Sequence, residues 1–203
     1  MLFGTSVFFR ISYFFTAFSP PIVLVIILNY NKHYKNLVLI LFLFVILILS
    51  IYIRQKISRI SKDKNHSQTF LINFDFDNDN SIDGYQIIDA TKKPEVNGDF
   101  IKFAISILFP SFTSIYSSKL TLSFIIIILL FTLLMLSNET FPNIILPIFG
   151  VQLLNTEDGF HIFYISKNQQ VLTGIKYLNY LGNSGPMSRT FVLTDDEYEK
   201  NRS

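Results

Sequence analysis

The sequence predicts an α-helical integral membrane protein. It should have about four transmembrane helices in two pairs, a polar strand-containing insert between the pairs, and a small α+β domain at the C-terminus. Two 17-residue runs, Leu37–Ile53 and Leu120–Leu136, contain no charged residue. Fifteen residues of the first run and 13 of the second are Leu, Ile, Val or Phe. At roughly −0.3 to −0.6 kcal/mol per such residue, each run favours membrane insertion by several kcal/mol. Helices of that length just cross a hydrocarbon core. Half of the 203 residues are hydrophobic and 22 are Phe, a loading that suits lipid better than a soluble core.

The first pair occupies residues 1–53. Its first member is Ile11–Asn29, an apolar run interrupted by Pro20 and Pro21. Paired prolines remove helix hydrogen bonds and should kink the segment, but either half alone is too short to cross. A short loop leads to the second member, Leu37–Ile53. The insert, residues 54–99, opens with Arg54, Lys56, Arg59, Lys62 and Lys64, five basic residues within 11 positions. Then TFLINFDFDN alternates apolar and polar residues as a strand does, DNSIDG reads as a turn, and YQIIDA reads as a second strand, giving a β-hairpin.

The second pair occupies residues 100–136. Phe100–Tyr116 is the less apolar member, with nine Leu, Ile or Phe residues and one Lys. Its polar residues Lys102, Ser106, Pro110, Thr113 and Ser117 recur at intervals of four, four, three and four, on one face of a helix. Such a face packs on other helices or lines water. Ser12, Thr16 and Ser19 form a similar stripe on the first helix. Leu120–Leu136 completes the pair.

Residues 137–203 hold an apolar segment, FPNIILPIFGVQLL, too short and proline-rich to span. The domain after it has strand-like stretches at Phe160–Ile165, Gln170–Tyr180 and Thr190–Leu193. Thr194 to Lys200 suggests a terminal helix turn, with Thr194 as N-cap and Glu197 closing a capping box. Fewer than 50 residues make a poor independent core, so this part should dock on a protein partner, a sister subunit or the insert.

Basic residues collect at the insert side, which places the insert in the cytoplasm. With four spans both termini would be cytoplasmic as well, in a bacterial inner membrane. The N-terminus lacks the basic and small-residue features of a cleaved signal and reads as retained.

Chemistry is sparse. There is no Cys, which excludes disulfides, thiolate zinc sites and Cys nucleophiles. The net charge of +2 gives no global field for nucleic acid, and no direct nucleic-acid binding is expected. Asp75, Asp77, Asp79 and Asp83 match oxygen positions 1, 3, 5 and 9 of an EF-hand-type calcium loop. Asn80 replaces the turn glycine, and Gln86 replaces the bidentate Glu. The alternative is an acidic turn facing water, and no metal is assigned. His33, His66 and His161 have no partner at metal spacing. No catalytic or cofactor motif is visible, so the chain reads as non-enzymatic and cofactor-free. The basic run at Arg54 suits anionic lipid head groups as well as setting topology.

The layout as a whole, with the opening MLFGTSVFFRISYFF, resembles the membrane subunit of the Kiwa anti-phage defence system. The resemblance is architectural and transfers no functional residue. It implies a membrane sensor of phage attack that assembles with itself and with a cytoplasmic DNA-binding partner. The functional reading is therefore a sensor and anchor that transmits a membrane perturbation to a soluble protein. The alternative is a small homo-oligomeric channel lined by Ser106, Pro110, Thr113 and Ser117 that depolarises the membrane.

Overall fold

Apolar runs and prolines decide the helices, and strand pairing decides the rest. The computed structural model describes residues 2, 4–29, 32–63, 70–74, 85–89, 95–96, 125, 127–129, 131–132, 140–156, 158–166, 172–183 and 188–197. The chain forms two compact units. One holds Ser6–Ile53 and Gly98–Phe149; the other holds Leu2–Thr5, Arg54–Asn97 and Gly150–Ser203.

In the first unit, α1 (Val7–Ala17) starts at Ser6, whose side-chain oxygen accepts the Phe9 N–H at 3.4 Å. It closes at Phe18, whose N–H donates to the Phe14 carbonyl at 2.8 Å. Helix α2 (Ser19–Asn29) leaves at 56° to α1. The kink expected from the prolines is present, and it falls at Phe18, just before them. Pro20 and Pro21 occupy the first turn of α2, where no intrahelical N–H donor is needed.

Helix α3 (Lys32–Ser61) runs for 30 residues, about 45 Å. Ile46, Ser50, Ile53, Ile57 and Ser61 form a buried stripe on it, while Leu37, Ile40, Leu41, Phe44 and Ile48 are exposed. A helix that is apolar all round needs either a protein core or lipid around it. The edge-to-face pair Phe8–Tyr52, with centroids 5.0 Å apart, joins α1 to α3. The turn α4 (Ile145–Ile148) also packs on α1.

The expectation of four spans in two pairs is overturned. Among the described residues, one helix (α3) is long and apolar enough to cross a membrane, and α1–α2 adds a second only if the bent pair counts as one broken span. Phe100–Tyr116 and most of Leu120–Leu136 lie outside the described residues. Insertion energetics read from composition do not report helix continuity, and the break at Phe18 shows the difference. The strands are also far more than an appendage.

The second unit is built on a seven-stranded mixed sheet. Its strands are β1 (Phe70–Asn73), β2 (Gln86–Asp89), β3 (Glu95–Val96), β4 (Val151–Asn155), β5 (His161–Ile165), β6 (Ile175–Tyr180) and β7 (Thr190–Glu197). The order is β2-β1-β6-β7-β5-β4-β3. Strands of the insert thus flank the C-terminal strands at both edges, and the two segments share one core: Ile72, Ile88, Leu154, Ile162, Leu178, Phe191 and Leu193. Of the docking partners expected for the C-terminal part, the insert is the one seen here.

Two local expectations fail. Strands β1 and β2 occur where alternation places them, but they pair in parallel, with Phe70 opposite Gln86 and Asn73 opposite Asp89. They are therefore not a hairpin, because a hairpin is antiparallel. Thr194 is not a helix cap. It lies in β7, buried, and its Oγ1 donates to the Tyr177 carbonyl of β6 at 3.0 Å. A capping-box sequence cannot compete with a ladder that satisfies the same backbone groups.

Candidate functional site

A helix leaves its last four carbonyls without intrahelical donors. In the second unit, α3 meets this need with a side chain from the sheet. Asn179 of β6 is 6% exposed, and its Nδ2 donates to the Ile60 carbonyl at 3.1 Å and the Asp63 carbonyl at 2.9 Å. The Asp63 N–H donates to the same Ile60 carbonyl at 3.2 Å. Next to this, the Ser61 hydroxyl lies 3.5 Å from the Asp195 carboxylate of β7. The end of the apolar helix is thereby fastened to the middle of the sheet. This fastening is the strongest candidate for a functional element, since one buried side chain of β6 holds the end of α3.

The segment Leu2–Thr5 is fastened to the same unit. Leu2 is fully buried, and Thr5 bonds back to the Leu2 carbonyl through both its N–H and its hydroxyl. The Asn183 N–H donates to the Gly4 carbonyl at 2.9 Å. The approach is so close that a Cβ on Gly182 would lie 2.0 Å from the Gly4 carbonyl oxygen, and one on Gly4 would lie 2.2 Å from Ser188 Oγ.

In the first unit the stripe Ser12, Thr16 and Ser19 is buried, as a mating face requires. Its mate is Asn143. Asn143 Nδ2 donates to Thr16 Oγ1 at 2.8 Å, and its Oδ1 accepts the N–H groups of Ile145 and Leu146 at the start of α4. Tyr13, fully buried, donates its hydroxyl to the Phe141 carbonyl at 2.7 Å. Sequence reasoning missed Asn143 and Asn179. Their only signal was an amide within an apolar stretch, which must find partners once buried.

The stripe Lys102, Ser106, Pro110, Thr113 and Ser117 and the loop acids Asp75, Asp77, Asp79 and Asp83 lie outside the described residues. Among the described residues, no three His, Cys, Asp or Glu side chains gather as a metal site would need. His161 is 5% exposed, and its Nδ1 pairs with Asn155 Oδ1 at 2.8 Å across β4 and β5, a core arrangement. Aromatic rings cluster on one side of the sheet. Tyr180 stacks on Phe191 at 4.9 Å, and Phe70 and Phe160 meet the same Phe191 ring at 5.1 and 5.9 Å. Burial pushes the Tyr164 and Tyr180 phenols up, so both stay protonated at neutral pH.

These arrangements hold elements together, and among the described residues none of them positions a nucleophile against a base. A protein-family model described as the anti-phage protein KwaA matches residues 9–184. The chain belongs to this family. Its role is in anti-phage defence, in agreement with the resemblance read from its layout. The match runs from α1 to the residues after β6 and so includes Thr16, Asn143 and Asn179. No curated protein and no solved structure matches the chain.

Proposed function

We propose that this family member is a non-enzymatic sensor and anchor in the bacterial inner membrane. A disturbance of the bilayer biases α3, and the sheet carries that bias to a cytoplasmic protein. The observation behind this reading is that one helix combines many exposed apolar residues between Leu37 and Ile51 with an end bonded to the sheet by Asn179. In water that stretch would expose a far larger apolar patch than soluble proteins carry. In lipid it is at home.

Connectivity supports a specific path. Gly4 is bonded to Asn183 and Ile60 to Asn179, so residues 4 and 60 lie on one side of any membrane. The chain between them then crosses an even number of times. If α3 crosses once, the bent pair α1–α2 supplies the return as one broken span. The basic residues after α3 favour the cytoplasm for the sheet. Switching requires two packings that differ by a few kcal/mol, and the α1–α2 break provides a joint where they can differ. Following the family resemblance, the partner is a DNA-binding protein, and the chain assembles with copies of itself.

The test is recovery of the full chain, tagged at its C-terminus, from gently solubilised native cells before and during infection. A DNA-binding protein in fixed ratio, with a contact that changes on infection and stops changing in Asn179→Ala, supports the reading. Absence of any soluble partner in both states refutes the platform. Release of the chain from membranes by an alkaline wash refutes the anchor.

A further inference from the structure

We propose that the last turns of α3 form a binding site for anionic phospholipid head groups. The inference rests on α3 being a span, as argued above. Arg54, Arg59 and Lys62 are all exposed. At 3.6 residues per turn, these three and Ser58 cover an arc of about 140°. Ile53, Ile57 and Ser61, which are buried, occupy a separate arc of about 80° on the same helix. The three basic residues stand outside the buried arc, and all three face solvent.

No described residue pairs with Arg54, Arg59 or Lys62. From Lys32 to Lys62 the chain contains no Asp or Glu. The first acid is Asp63, whose carbonyl accepts the Asn179 amide, and Lys56 is half-exposed on a neighbouring arc. Exposed basic side chains at the end of a helix with no acid of its own, and without a partner among the described residues, are suited to an external anion.

Position along the helix favours a lipid over a soluble anion. Arg54 follows the uncharged run ending at Ile53 directly. Lys62 is about 12 Å further along the axis. The head-group layer adds about 5–8 Å to each side of the hydrocarbon core, and long basic side chains reach back toward it. With acyl chains against Leu37–Ile51, a phosphate of the same lipid falls within reach of Arg54 and Arg59. A free phosphate would receive none of the apolar contact. Each basic residue near an anionic surface contributes about fivefold in affinity, so the three together give about a hundredfold preference over a neutral lipid.

The experiment uses the full chain purified in mild nonionic detergent and titrated with phosphatidylglycerol or phosphatidylcholine in mixed micelles. The readout is bound lipid by native mass spectrometry. We expect phosphatidylglycerol to be retained about a hundredfold more tightly at about 0.05 M salt, with most of that preference lost at about 0.5 M. Arg54→Gln/Arg59→Gln/Lys62→Gln should bind both lipids alike while keeping the thermal midpoint of the parent in phosphatidylcholine. Equal binding of the two lipids by the parent overturns the proposal. An unchanged preference in the variant does so as well. Competition by inorganic phosphate at equal concentration reassigns the site to a free anion, and tighter binding of a DNA duplex than of phosphatidylglycerol reassigns it to nucleic acid. If an alkaline wash releases the chain from membranes, the span reading fails, and the lipid titration still decides the head-group site.

Discussion

Replacing Asn179 tests the fastening of α3 directly. Asn179→Ala removes the donor to both the Ile60 and Asp63 carbonyls. Asp63 is exposed, so water replaces its lost bond and the loss is close to the net value of one hydrogen bond, about 1 kcal/mol. Ile60 is only part-exposed, and its carbonyl keeps just the Asp63 N–H, so a further cost of about 1–2 kcal/mol applies there. The sum is roughly 2–3 kcal/mol, a drop of about 5–10 °C in the thermal midpoint of a chain of this length. Asn179→Asp should be worse than Asn179→Ala. A carboxylate cannot donate, and it would face two carbonyls at the negative end of the helix dipole. The assay is thermal unfolding of the full chain in mild detergent, with amide exchange at residues 60–63 read in parallel. A loss below about 0.5 kcal/mol, or Asp tolerated as well as Ala, would refute the claim that this side chain holds the helix end.

Gly182→Ala should displace the Leu2–Thr5 segment, because its Cβ would meet the Gly4 carbonyl oxygen at 2.0 Å and Thr5 Cα at 2.9 Å, both backbone atoms; limited proteolysis near the N-terminus should become fast. Asn143→Ala should cost about 1–2 kcal/mol through the lost α4 cap. In a double-mutant cycle with Thr16→Val it should show a coupling of about 1 kcal/mol, measured by thermal unfolding, whereas additivity would mean the Nδ2–Oγ1 bond contributes nothing. Phe191→Ala removes a fully buried ring that three other rings contact, and should cost about 3–5 kcal/mol, visible as loss of the β signal in circular dichroism.

The sequence made local periodicity legible and left partners hidden. Alternation in TFLINF and YQIIDA located β1 and β2, because side-chain direction in a strand is a local property. It did not say which strands they join. DNSIDG, Asp79–Gly84, reads as a hairpin turn, yet the 12 residues that separate β1 from β2 equally serve a crossover between parallel strands. Thr194 and Glu197 have the spacing of a capping box, and only the Tyr177 carbonyl across the ladder shows why Thr194 lies in a strand instead. The long apolar run of α3 was legible because insertion depends on summed composition. The fastening by Asn179 was not, because it is a contact between residues 119 positions apart. The stripe on the first helix is readable as a mating face, but the amide that meets Thr16, Asn143, is not, because it lies 127 positions away.

The order of strands in the sheet sets a timetable for making the protein. Strand β1 cannot pair with β6 until about 100 more residues have left the ribosome, about 5–20 s at ordinary synthesis rates. During that interval α3 and its apolar run have already emerged, while β1 and β2 are nascent strands with nothing to close their outer ladder. Partial pairing with a neighbouring nascent chain is the foreseeable error, and early membrane capture of α3 would separate such chains. A version whose α3 enters the membrane slowly should therefore aggregate during synthesis even if the finished fold is as stable as the parent.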